Sequence, residues 1–169
     1  VLILTFNLSL VNYIKYRLKE IREDFSWNSF TITNYHQLIK SEAINHDLKL
    51  EFTSYEDETL FESVKDIKKY STILIDEVQD YDTSWLQILN KYFLMNEGEM
   101  VVFGDAKQNI YNKKLGKAGE ILIGVIPGTW NNELRKGQRF VNSNITELAV
   151  KFHREFYDEF EPDKIEQDI

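Results

Sequence analysis

At 169 residues and 20.1 kDa, the chain has room for one ordinary domain with a usable hydrophobic core. It has no cysteine, which excludes disulfides, thiolate metal sites and a cysteine nucleophile, and its three histidines, His36, His46 and His153, are too scattered for a zinc site. A composition of 43% hydrophobic and 28% charged residues with a formal charge of -8 describes a globular chain and argues against a broad non-specific nucleic-acid surface, though a narrow basic or aromatic track stays open. No apolar run approaches the roughly 18 residues that would span a bilayer. The opening apolar residues give way to Asn7, Lys15, Arg17 and Lys19 without a secretory cleavage pattern, so a cytoplasmic protein with no membrane partner is expected.

Val1 to Leu4 reads as a buried strand from the first residue, because a continuous apolar run suits a parallel sheet covered on both faces. With no initiator methionine, the expectation is a piece of a longer protein. Leu10, Val11, Ile14, Leu18, Ile21 and Phe25 fall at helical spacing and predict a helix over about residues 9 to 24. Phe30 to Thr33 follows as a short strand, His36 to Ala43 begins a second helix, and residues 46 to 56 show no clean period. Leu60, Phe61, Val64 and Ile67 form another helical stripe that ends near Lys68-Lys69-Tyr70, where cations suit a helix C-terminus. Ser71 to Ile75 is a strand running into Asp76-Glu77, and Trp85, Leu86, Ile88, Leu89, Tyr92 and Phe93 then predict a helix that Gly98 helps to end. Met100 to Phe103 is a strand closed by Gly104-Asp105, and Ile121 to Ile126 is another, closed by Pro127-Gly128. The last helix carries Ile145, Leu148, Ala149, Phe152 and Phe156, with Asn144 and Glu147 spaced as a capping box, and the tail after it is acidic. Strands separated by helical segments define an α/β domain with a mostly parallel sheet, whose ligands bind beyond the carboxyl ends of the strands.

Two strands end in acid at that edge. Adjacent carboxylates at Asp76 and Glu77 suit a division of labour, with one acid binding magnesium and the other orienting or deprotonating an attacking water. The plainer alternative is a strand followed by an acidic helix start, with Asp80 or Asp82 as the cap. Gly104-Asp105 repeats the arrangement after the next strong strand, and Gln108 nearby has the amide groups to hold a water or a phosphate oxygen. Tyr111 suits either core filling or stacking on a base. No Gly-x-x-x-x-Gly-Lys-Ser/Thr loop occurs anywhere in the chain.

Taken together, these segments resemble the first RecA-like domain of a superfamily 1 DNA helicase of the UvrD/Rep type, over about residues 1 to 157, with 158–169 an acidic tail. Ile3-Leu4-Thr5-Phe6-Asn7 through Leu10 resembles motif Ia, and Thr31 to His36 resembles the strand-to-helix segment that follows it. Ile75-Asp76-Glu77-Val78-Gln79-Asp80 matches the DExQD form of motif II, and Gly104 to Tyr111 matches the GDxxQxIY form of motif III. Leu134 through Arg139, continuing to Ile145, resembles motif IV.

The resemblance implies a RecA-like P-loop fold, ATP and Mg2+ as nucleotide and ion, and single-stranded DNA and a second RecA-like domain as partners. Asp76 would be the magnesium-site carboxylate, Glu77 the general base that also lies at the metal, Gln108 the γ-phosphate sensor, and Arg139 a partner of the terminal phosphates. Thr5, Phe6, Asn7 and His36 would lie on the DNA path, with Tyr111 near the region coupling nucleotide to DNA. His36 could instead cap or pack against a helix, Phe6 could be core, and Trp85 and Trp130 are expected to pack.

The chain departs from the family pattern at motif IV, where Gly137-Gln138 precedes Arg139 and the usual aromatic is absent. The interval between His36 and Asp76 is also too short for the large subdomain that many relatives insert there. The expected function is therefore that of a helicase or translocase fragment, itself inactive without the phosphate loop. The alternative is a catalytically silent, helicase-like interaction module within a larger nuclease, repair or defence protein.

Overall fold

A computed structural model describes residues 1–21 and 25–105, with the isolated positions Gly128 and Lys151. The chain divides into two compact units, Val1–Pro127 and Gly128–Ile169, and the architecture below is that of the first. The strand expected at 121–126, the helix expected at 145–156 apart from Lys151, and the acidic tail lie outside the described residues, as does Trp130.

Strand β1 (Leu2–Thr5) leads through Asn7 into helix α1 (Leu8–Glu20), and Asn7 starts that helix by accepting the Ser9 N–H on its side chain. Strand β2 (Thr31–Asn34) leads directly into α2 (Tyr35–Asn45), where the Asn34 side chain accepts the Gln37 N–H at 2.8 Å. Strand β3 (Tyr70–Ile75) ends in the 3-10 turn Val78–Asp80. Helix α3 (Thr83–Ile88) then continues as a π-helical turn, Leu89–Phe93, into β4 (Leu94–Val102). Among the described residues, four strands form one sheet in the order β2-β1-β3-β4, and each of their pairings is parallel.

Register separates the two faces. Leu2 and Leu4 lie beside Ile73 and Ile75, and all four are fully buried. That layer, with Leu38, Ile39 and Ala43 of α2 and Leu86, Ile88, Leu89 and Phe93 after β3, makes the core. Ile3, Ile32, Leu74 and Val101 share the other face, where α1 packs on β1 and β2. Ile32 is buried there, whereas Val101 on β4 is 37% exposed.

Two segments differ from the periodicity reading. Residues 57–64 form successive turns rather than a helix, with Leu60 N–H donating to Asp57 O, Glu62 N–H to Thr59 O and Val64 N–H to Phe61 O. The cause is local: one Asp57 carboxylate oxygen accepts both the N–H and the hydroxyl of Thr59, a competing arrangement that displaces the helical ladder. Those bonds also hold the Asp57 carboxyl below its ordinary value. The segment is fastened instead by Phe61, fully buried against Tyr92 and Phe93, and by the Tyr92 hydroxyl, which donates to Glu58 O at 2.7 Å.

Gly98 likewise ends no helix, because it lies inside β4 at an irregular register. Tyr70 pairs with Leu94 but Thr72 pairs with Glu99, so extra residues bulge from β4.

Candidate active site

The carboxyl ends of the four strands are tied edge to edge. Thr5 pairs with Asn34, Asp76 N–H donates to Leu4 O at 2.9 Å, and Phe103 N–H donates to Ile75 O at 2.8 Å. Val78 N–H then returns to Phe103 O at 2.9 Å. This lacing brings Phe6, Asn7, His36, Asp76, Glu77 and Asp105 to one edge of the sheet, the edge where ligands of parallel sheets bind.

Asp76 and Glu77 are half-buried there. Glu77 adopts the left-handed conformation, φ 53° and ψ 48°, and turns the chain sharply out of β3. Gln79, 3% exposed, donates through Nε2 to Glu77 Oε2 at 2.5 Å and accepts the Asp105 N–H through Oε1 at 3.1 Å. The segment after β3 is thereby joined to the segment after β4 through one side chain. In the sequence Gln79 stands only as part of a pattern, and its burial and its two hydrogen bonds, one of them to a distant segment, leave no local signal.

Asp82 occupies the position before α3 and its backbone carbonyl accepts the Trp85 and Leu86 N–H groups, while its side chain makes no capping hydrogen bond. Among the described residues, no group of three or more His, Asp or Glu side chains gathers as a metal cage. Magnesium does not need one, since it keeps several waters and binds through one or two carboxylates plus substrate phosphates. Hard oxygen donors at Asp76 and Glu77, half-buried at an open edge, fit that requirement.

On the β1 and β2 side, Thr5 is fully buried and its hydroxyl donates to Asn7 O at 2.9 Å, so it shapes the turn rather than presenting a surface. Asn7 is exposed but caps α1, and Phe6 is 37% exposed with its ring at the edge of Tyr81. His36 is exposed and is not the cap of α2, a task Asn34 performs. Its ring lies 4.8 Å from Trp85 and 4.9 Å from Tyr55, and partial burial holds the imidazole below its ordinary value. Trp85 packs, as expected, at 8% exposure.

Tyr81 connects the two halves of the edge. Burial, then the charges of Asp76 and Asp80, raise its phenol above the ordinary value. The buried Tyr81 Oη and Trp85 Nε1 make no hydrogen bond among the described residues. Gln108, Tyr111 and Arg139 lie outside the described residues.

A shallow cavity of about 370 Å³, lined by Lys15, Lys19, Trp27, Phe30, Thr31 and Ile32, opens at the start of β2 and is remote from these carboxylates. No helix among the described residues is long and apolar enough to cross a membrane.

A four-stranded parallel sheet flanked by helices, with a carboxylate pair at the exit of an inner strand, is a RecA-like α/β domain. The family model of the UvrD/REP helicase N-terminal domain matches residues 35–122, more than half of the chain, and the chain belongs to that family. The matched stretch runs from α2 past Asp76-Glu77 and Gly104-Asp105 to residue 122, while Thr5, Phe6, Asn7 and Arg139 lie outside it. Neither the curated proteins nor the solved structures contain a match to the chain.

Proposed function

We propose that this chain forms part of an ATP-dependent motor that hydrolyses ATP and moves along single-stranded DNA. The observation that carries the reading is the junction after β3, where Asp76 and Glu77 stand side by side and Glu77 is joined through Gln79 to Asp105. In this assignment Asp76 holds magnesium, with Glu77 beside it. The ion supplies neutralisation of charge on the nucleotide's terminal phosphates. Glu77 takes the proton of the attacking water, and its bond from Gln79 limits the orientations its carboxylate can sample. Gln108 and Arg139 are assigned to the γ-phosphate from their sequence context, and Tyr111 to the coupling between nucleotide and DNA.

On the same edge, Phe6 and His36 offer aromatic faces to a strand of DNA. Stacking of bases on such rings tolerates any sequence, because every base presents a π-face. A second RecA-like domain would close over the nucleotide and convert hydrolysis into steps.

The test is ATP hydrolysis by the full-length protein, with and without magnesium and single-stranded DNA. Hydrolysis that needs the ion and rises with DNA is the expected result. A folded protein that hydrolyses nothing under either condition would overturn the motor reading and favour a silent interaction module.

A further inference from the structure

Gln79 is neither a surface residue nor an apolar core residue, and both ends of its amide are used. Its two partners fix which end is which. A carboxylate only accepts and a backbone N–H only donates, so one orientation of the amide satisfies both. Glutamate at this position would set acceptor against acceptor at Glu77. Methionine would fill a similar volume and serve neither partner. The residue being held is one whose backbone is in the left-handed region, a conformation that persists in a non-glycine residue only when its surroundings hold it there.

We infer that Gln79 is a positioning residue for hydrolysis: it orients the Glu77 carboxylate and ties it to the backbone of the Gly104-Asp105 loop, so that a shift of that loop is felt at the base. The inference rests on Glu77 being the base of the proposed ATPase. Its structural half, the tie to Asp105, stands on geometry alone. Asp105 stands three residues before Gln108 in the sequence, so the same amide ties the base to the chain just ahead of the residue assigned to the γ-phosphate.

The experiment uses four forms of the full-length protein: wild type, Gln79→Met, Glu77→Gln and the double variant. Each is measured for DNA-stimulated ATP hydrolysis and for amide hydrogen exchange at Gly104-Asp105, with thermal denaturation to confirm folding. Gln79→Met should lower kcat roughly 10- to 100-fold, as loss of an outer-shell partner does, with KM for ATP changed less than about threefold. On the Glu77→Gln background the same change should add almost nothing, because a residue that acts through Glu77 has nothing left to act on. Exchange at Asp105 should accelerate in Gln79→Met.

A near-wild-type kcat, or losses that multiply independently in the double variant, would overturn the positioning role. Unchanged exchange at Asp105 would overturn the tie. If the wild type itself hydrolyses nothing, the ATPase reading and the positioning role fall together, and exchange at Asp105 alone decides whether the tie exists.

Discussion

The Tyr35 and Trp85 rings stack with centroids 4.6 Å apart and planes inclined by 9°. The contact joins the first turn of α2 to α3, and the Tyr35 hydroxyl extends it by donating to Tyr55 O at 2.7 Å. Burial, then the charges of Glu56, Tyr81 and Asp82, keep that phenol protonated well above its ordinary range. His36, one residue along, is left with its ring against the edges of this stack.

That environment predicts the titration of His36. Partial burial disfavours the imidazolium, so the folded protein holds His36 below its ordinary value of 6.5. The unfolded chain therefore takes up the proton first as the pH falls. The stabilisation from neutral His36 is complete above pH 6.5 and is lost as the pH drops through the folded value. An NMR titration of the His36 ring should give a midpoint below 6.5, and a midpoint at or above it would contradict the packing described. A neutral ring at pH 7 also suits stacking on a base better than pairing with a phosphate.

The left-handed conformation of Glu77 predicts that function and stability separate at this position. Glycine adopts this conformation without the Cβ clash, whereas alanine retains it. Glu77→Gly should be more stable than Glu77→Ala by about 1 kcal/mol in urea denaturation, although both should lose hydrolysis. An alanine variant as stable as the glycine variant would show that the turn is not held as described.

Gly98 makes a second backbone prediction. A Cβ there would lie 2.9 Å from Ser71 O, 3.0 Å from Met95 O and 2.8 Å from Leu94 Cδ1, and two of those neighbours are backbone atoms. Gly98→Ala should cost about 1–3 kcal/mol by forcing the β4 bulge away from β3. Equilibrium unfolding checks this, and a loss under about 0.5 kcal/mol would mean that the bulge yields freely.

The elements legible in the sequence were those whose signal is local. Val1 to Leu4 and Ser71 to Ile75 are apolar runs bounded by polar residues, and they became the two central strands. The stripe from Trp85 to Phe93 is buried at every apolar position named for it, although its last turn widens to a π-helix. The acidic exit at Asp76-Glu77 was legible for the same reason.

What periodicity could not reveal was competition and close approach. Leu60, Phe61, Val64 and Ile67 have helical spacing, yet only Phe61 is fully buried, and an Asp57 side chain outbids the helix for Thr59. Gly98 looked like a helix stop because glycine does that work often. Its actual reason is a carbonyl of the neighbouring strand, which no local pattern encodes. Gln79 was hidden in the same way, since its partner Asp105 comes from the segment after β4, 26 residues along the chain.

The central claim is that Glu77 performs the proton transfer of ATP hydrolysis. The most direct test is DNA-stimulated hydrolysis by full-length wild type and Glu77→Gln, with nucleotide binding measured in parallel. The variant should still bind ATP and lose at least roughly 100-fold in kcat, the usual worth of a positioned acid–base group. A variant that binds ATP and hydrolyses it within about threefold of wild type would mean that Glu77 is not the base.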